Sequence, residues 1–481
     1  MDKDIVLEGV LDEFGKLAEI PRMSGHEKAV SDFLMDYLKG LGFQVVQDDV
    51  FNIIVDKPAT KGMEQAPLTI LQSHMDMVCV ADEGRPFDPL KDSIRLIRDD
   101  EYLRADGTSL GADDGIGVAE IIYILKNCEK HGPLRAILTV DEERGMTGAE
   151  HLDKKYLADG KFLINCDSEN YDELTIGCAG NVTIEFSKSL SFEKPSCGNA
   201  YRIEWRGLCG GHSGERIGDG RANAIRLMAQ TLTELQKLGR IELSAFKGGK
   251  AYNAIPDSAE AVIVTDIGKE AMEACLARCR ETMGSIYGDV ETKGVLSGVE
   301  TEMPEKVMSR NDCHSSLQLM TLIHSGVYAM SNSVPGLVET SANMGVARTE
   351  EGKLKLCVLP RSAVDGKLEE FCDMAGSLGE LTGFEVTHTP IIPGWKERSN
   401  SKLADIMKQI FESRNHIPMK VGAIHAAVEC GWHYSKNPDL DIVSIGVTTV
   451  DIHSPRERVL LKTIRPQVEL IQDTLAEIGE M

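Results

Sequence analysis

Nowhere in this chain is there an uncharged apolar run of roughly 20 residues, the length a membrane-spanning helix needs. The amino-terminal MDKDIVLEGVLDEFG also lacks the basic region and apolar core of a secretory signal. A soluble cytoplasmic protein is therefore expected. The 12 cysteines contain no CxxC pair, a pattern of reduced core thiols rather than a disulfide framework. Positive charge is in deficit: 52 Lys and Arg stand against 76 Asp and Glu, a formal charge of -24. Such a surface disfavours nucleic acid and anionic membranes as partners, although solubility alone also explains it. There is no GxGxxG dinucleotide fingerprint. HEKAV at His26 fails as HExxH because its fifth residue is Val30, and GGHSGE is not GxSxG. The 19 methionines are dispersed, and Cys275 and Cys279, four apart on an expected helix, read as apolar packing.

What is present is an ordinary apolar fraction of 42% over 481 residues, enough for one large core and more than single cores usually hold. The stretch from Leu68 to Glu143 organises the rest. It contains LTILQSHMDMV, DGTSLGADDGIGVA and LRAILTVDEERG, each polar cluster at or just beyond an apolar run. In an open α/β sheet such strand ends converge on the ligand crevice. His74 and Asp76 are two apart, so an extended backbone points both to one side. A metal-bound imidazole commonly gives its second N–H to such a carboxylate, whereas a solvated His and Asp at a strand end is the plain alternative. GADDGIG puts Asp113 and Asp114 just before an apolar helix, Ile116 to Leu125. An N-cap role explains one of these carboxylates and does not require two. Asp167 follows another apolar run, Lys161 to Cys166, and His453 follows a β-rich run near the carboxyl end.

Along the chain, helices are expected over Ile5 to Ile20 and after a capping box of Ser24 and Glu27. Two short strands follow from Phe43 to Val55. After Gly177 the character changes to alternating strands and helices, with helices at Arg221 to Leu238, Glu270 to Met283, Leu317 to Met330 and Leu368 to Ser377. Gly336 to Ala347 and Lys353 to Leu359 read as an antiparallel pair. The fold expected is α/β, with a mixed-sheet first domain over 1–185, an inserted α+β domain of two related lobes over 186–383, and a return to the first domain over 384–481.

HMDMV, GADDGIG, DEERGMTGA, CDSE, GGHSGERIGDGRANAI, NAIP, HAAVECG and VDIHSPRE together resemble the aminoacyl-histidine dipeptidases. These are a branch of the two-metal peptidases and acyl-amino-acid amidohydrolases that includes carnosine-type dipeptidases. The resemblance runs from about Ser24 to the end. It implies a zinc-peptidase catalytic domain with the insertion as a lid, and hydrolysis of short peptides by a hydroxide shared between two zinc ions. By this likeness His74 and Asp167 hold one metal, Glu143 and His453 the other, and Asp113 bridges them. Glu142 is the general base, Asp76 the partner of His74, and His212 reaches the carbonyl oxygen. Asn253, Arg361, His425 and Glu429 bind substrate, Arg361 taking the peptide carboxylate. A cis peptide at Asp113–Asp114 is also implied. Nitrogen and oxygen donors without thiolate suit zinc and also admit manganese or cobalt. A related tripeptide aminopeptidase, an N-acyl-amino-acid amidohydrolase and a non-catalytic scaffold stay open as alternatives. So do a monomer and a homodimer, with His212 serving its own site or a neighbour's.

Overall fold

The computed structural model describes residues 4–398 and 400–481. It divides into two compact units, one formed by residues up to Cys178 with Trp395–Ala423 and Val428–Met481, the other by Ala179–Gly394 with Ile424–Ala427. The expected domain limits were 185/186 and 383/384. The passage out of the first unit falls earlier because Ile184–Ser189 is wholly a strand of the second unit's sheet, and the return falls later because Glu385–His388 pairs with it. Ile424–Ala427, which runs into the start of HAAVECG, belongs to the second unit, an excursion with no marker in the sequence.

The first unit is built on eight strands in the order Gln44–Gln47, Ile53–Lys57, Leu134–Thr139, Leu68–His74, Gly160–Asn165, Asp441–Ser444, Glu173–Cys178 and Lys420–Ile424. The four central ones run parallel. Their apolar runs alternate between two cores, as side chains on a strand must. Leu71, Leu138, Ile164 and Val443 pack on one face with the helices Ile5–Ala18, Lys28–Gly40, Ala112–Asn127, Lys402–Asn415 and Ile464–Gly479. Ile70, Ile137, Leu163 and Ile442 pack on the other with Leu152, Leu157 and Cys430. Parallel strands sandwiched this way present their carboxyl ends together, and these ends carry the polar clusters. A smaller four-stranded sheet pairs Arg458–Leu460 with Tyr102–Ala105.

In the second unit, both expected strand-and-helix sets meet in one continuous antiparallel ten-stranded sheet, joined where Lys247 and Gly248 face Arg348 and Ala347. The helices Ala224–Gln236, Lys269–Tyr287, Arg310–Leu322 and Asp365–Thr382 share a single core. Two local expectations fail. The helix placed at Leu317 to Met330 spans Arg310–Leu322, because the Ser309 side chain accepts from the Asp312 N–H and starts it early. Gly326 at φ 135° then opens a strand, Gly326–Met330. The Ser24–Glu27 capping box does not form either: Ser24 Oγ donates to the Met77 carbonyl, and Glu27 accepts from Gly25 and Asp141 N–H groups. Among the described residues no helix is long and apolar enough to cross a membrane.

Candidate active site

His74 ends its strand facing Thr139 across the parallel ladder, so the strand ends bearing His74 and Glu142–Glu143 are neighbours by register. His74 Nε2 lies 3.1 Å from Asp113 Oδ1 and 3.6 Å from Asp167 Oδ1. His453 Nε2 lies 3.2 Å from Asp113 Oδ2 and 2.9 Å from Glu143 Oε2. Asp113 thus gives one oxygen to each histidine. Among the described residues, three sets of donor atoms lie within 4.8 Å of one another: His74 with Asp113 and Asp167, Asp113 with Glu143 and His453, and His74 with Glu142 and Glu143.

The backbone at Asp113 departs from the helix in which it lies. The peptide Asp113–Asp114 is cis, as the resemblance implies, and Asp113 at φ -80°, ψ 109° is not helical although it lies at the start of Ala112–Asn127. Asp76, buried, has Oδ1 3.3 Å from His74 Nδ1. It also accepts from the N–H groups of Glu142 and Glu143, at 3.1 and 3.3 Å. One carboxylate therefore fixes the ring of His74 and the start of the next ligand segment. The Asp167 loop is held by a close approach: a methyl group added at Gly446 would lie 1.6 Å from the Ser168 carbonyl oxygen. Gly446→Ala is expected to destabilise the chain by about 1–3 kcal/mol through overpacking, seen as a lower urea midpoint at unchanged slope.

Electrostatics follow from crowding carboxylates in a buried place. Burial, reinforced by Asp167, Glu143 and Glu429, pushes Glu142 well above the usual carboxylate range. Burial pushes Asp167 up to about 7, with His74 beside it pulling back. Burial opposes the charge on Asp113 too, but hydrogen bonds with His453 and His74 outweigh it and hold that carboxyl low. His453 is raised to about 11 by its bonds to Asp113 and Glu143. None of Asp113, Glu142, Glu143 or Asp167 forms an ion pair with a lysine or arginine among the described residues. Clustered buried carboxylates of this kind call for a cationic partner.

Glu429 lies beneath these groups and is fully buried. Its Oε2 accepts from Gln72 Nε2 at 2.6 Å and Thr139 Oγ1 at 2.7 Å. Gln72 Oε1 accepts from Asn165 Nδ2, whose side-chain oxygen accepts from the Asp167 N–H. The chain of bonds ties together the strands Leu68–His74, Leu134–Thr139 and Gly160–Asn165, which end in or lead to His74, Glu142 and Asp167. Burial lifts Glu429 to about 7.

The other expected residues gather in the second unit. His212 sits on a two-residue strand paired with Ala254–Ile255, and the Ser213 N–H donates to the Asn253 carbonyl at 2.8 Å. His425 Nε2 lies 2.7 Å from Ser341 Oγ, and Ser341 faces Arg361 in the sheet. Burial lowers His425 to about 3 and lowers His212 as well, Arg361 adding to both. Arg361 is 5% exposed and forms no ion pair with a carboxylate among the described residues, and burial brings it down to about 10. A buried guanidinium without a carboxylate partner has unused donors that a carboxylate can meet. The sequence reading missed Arg22 and Glu457, which hold the Asp113 turn; no local pattern distinguishes them.

The model of Peptidase family M20/M25/M40 matches residues 70–477. The cytosol non-specific dipeptidase of Escherichia coli (strain K12) is 33% identical over 474 residues, 97% of this chain and 97% of that protein. The solved aminoacylhistidine dipeptidase from Vibrio alginolyticus superposes with a TM-score of 0.91 at 33% identity, covering 98% of this chain and 96% of that one. An M20 family metallo-carboxypeptidase from Sulfolobus solfataricus has a TM-score of 0.56 at 13% identity with full coverage of both, a likeness of fold.

Proposed function

Because the chain belongs to peptidase family M20/M25/M40 and is a metal-binding peptide hydrolase, we propose that it cleaves aminoacyl-histidine dipeptides with two zinc ions, in the cytosol. The observation that carries the two-metal reading is Asp113, whose two oxygens address His74 and His453 separately. The Vibrio dipeptidase supports the substrate class, at 33% identity over nearly all of both chains. The cytosolic setting is supported by the name of the Escherichia coli relative.

The donors fit the ions. His74 and Asp167 would hold one, Glu143 and His453 the other, with Asp113 between them, a set of nitrogen and oxygen donors suited to zinc and open to manganese or cobalt. Bound zinc would supply Lewis-acid polarisation of the peptide carbonyl and a water acidified toward neutrality. Glu142, as the carboxylate, takes a proton from the attacking water and delivers it to the leaving nitrogen, and its burial raises its affinity for that proton. Asp76 keeps the His74 ring oriented. His212 donates to the carbonyl oxygen and Arg361 receives the terminal carboxylate, with Asn253 and His425 around it. Glu429, having no exposed atom, acts from beneath through Gln72 and Thr139.

Two zinc ions per chain are expected by elemental analysis after dialysis. The pH dependence has a definite sign. His453, held up to about 11, His74, raised against its burial and well above the ordinary histidine range by the carboxylates around it, and Asp167, at about 7, must all lose protons to ligate. Zinc affinity should therefore fall as pH is lowered, by about tenfold per unit for each proton displaced, and calorimetry in buffers of different ionisation enthalpy should register proton release. One zinc or none at saturation would sink the two-metal reading. Substrate class is tested separately, by comparing Xaa-His dipeptides with other dipeptides, tripeptides and N-acyl amino acids. Turnover confined to N-acyl substrates or tripeptides would replace the dipeptidase reading.

A further inference from the structure

We propose that Arg22 and Glu457 are positioning residues that form a buried clamp on the turn 110–113, and that this clamp sets how Asp113 presents its two oxygens to His74 and His453. The inference rests on the metal-dependent reading above.

Four consecutive backbone N–H groups converge on the Glu457 carboxylate. Oε2 accepts from Leu110 at 2.8 Å and Gly111 at 3.0 Å, and Oε1 accepts from Ala112 at 2.7 Å and Asp113 at 3.3 Å. Successive amides can converge in this way only if the chain curls, and Gly111 at φ 69° supplies the curl. The opposite side of the same turn is held by Arg22, whose Nη2 donates to the Gly111 carbonyl at 2.5 Å. Its Nη1 donates to the carbonyls of Met75 and Asp76 at 3.1 and 3.0 Å.

The Gly111 peptide region is therefore gripped by an anion on its N–H side and a cation on its carbonyl side. Both grips are buried, Arg22 at 1% exposure and Glu457 at 2%. Neither has a side-chain ion-pair partner of its own among the described residues, so each charge is met by backbone dipoles of this turn and its neighbours, through both carboxylate oxygens of Glu457 and through Nη1 and Nη2 of Arg22, whose Nε has no hydrogen-bond partner. The glycines of GADDG make room: a methyl group at Gly111 would lie 2.3 Å, and one at Gly115 2.6 Å, from Arg22 Nη2.

The connections run to both halves of the centre. Arg22 reaches the segment that follows His74 and contains Asp76. Glu457 comes four residues after His453 and immediately before the strand Arg458–Leu460. The clamp thus joins the two histidine-bearing segments to the turn that carries the shared carboxylate. Neither side chain is among the donor atoms that face the metal positions, so their effect is exerted through the backbone of 110–113. Because Asp113 serves both positions, loosening the turn weakens both ions together, whereas loss of His453 weakens one.

The experiment compares the full-length wild-type chain with Glu457→Gln and Arg22→Lys. Gln removes the charge and replaces one acceptor with a donor; Lys keeps the buried charge but cannot span three carbonyls with a planar fork. Zinc affinity is measured by competition with a chromophoric chelator on the folded fraction, and hydrogen exchange is followed at 110–113. Both zinc steps are expected to weaken at least about tenfold, in the range for groups that orient ligands, with faster exchange at 110–113 and unchanged protection in the ten-stranded sheet. If Glu457→Gln does not fold, Arg22→Lys carries the same comparison. Folded variants that bind both zinc ions as tightly as wild type overturn the clamp, including the case where only the melting temperature falls. A wild-type chain that binds no zinc overturns instead the reading on which the clamp rests.

Discussion

Glu142→Gln is expected to keep the fold and the metal content and to lose at least about 10²-fold in kcat, the lower end of what a positioned general base contributes. Glutamine preserves the side-chain shape but cannot accept a proton. The surroundings of Glu142 make the substitution a clean one. The residue forms no ion pair among the described residues, and burial with Asp167, Glu143 and Glu429 nearby already disfavours its charge. A neutral amide should therefore be tolerated, and the N–H of residue 142 still has Asp76 to bond with. The readouts are kcat, KM and zinc content on the same preparation. Near-normal kcat with full metal would reject Glu142 as the base; low activity with depleted metal would show a structural effect and require the test to be repeated at saturating zinc.

The convergence of His74, Glu143 and Asp167 was legible because each lies at or just beyond an apolar run, and parallel strands buried on both faces must deliver their ends to one place; Asp113, which precedes an apolar helix, and His453 were joined to them only by the family resemblance. The alternation of Ile70 and Leu71, or Leu163 and Ile164, between two cores is the physical basis of that inference. Legibility ended where a residue works through backbone. Glu457 accepts four N–H groups from a turn more than 340 positions away, and Arg22 donates to three carbonyls; neither contact has a spacing or a residue-type pattern to betray it. Glu429 shows a related limit. Its place in HAAVECG suggested contact with substrate, yet its bonds run to Gln72 and Thr139 inside the sheet. The helix Arg310–Leu322 was misplaced for a simpler reason: the apolar positions of the following strand, Gly326–Met330, prolonged the apparent helical pattern past Leu322, and only the cap at Ser309 marked the true start.

His212→Ala should cost about 10²–10³-fold in kcat, the usual loss when one donor to a developing oxyanion is removed, and should leave zinc content unchanged because every proposed metal donor lies in the first unit. The surroundings of the ring are compatible with this proposed role. Its Nδ1 accepts from the Glu215 N–H at 3.4 Å, so the neutral ring carries its proton on Nε2. Burial, with Arg361 adding to it, lowers the histidine's affinity for a second proton, which favours the neutral ring that can donate one hydrogen bond. Which active site receives that bond is decided by mixing. Glu142→Gln chains retain His212 and lack the base; His212→Ala chains retain the base and lack the donor. If His212 serves the site of its own chain, every mixed assembly contains only defective sites, and activity should stay at the level of the separate variants after subunit exchange has been verified with a labelled chain. Recovery of activity on mixing would place His212 in the site of a second copy and make a homodimer obligatory for turnover. A His212→Ala chain with unimpaired kcat would remove this histidine from the chemistry altogether.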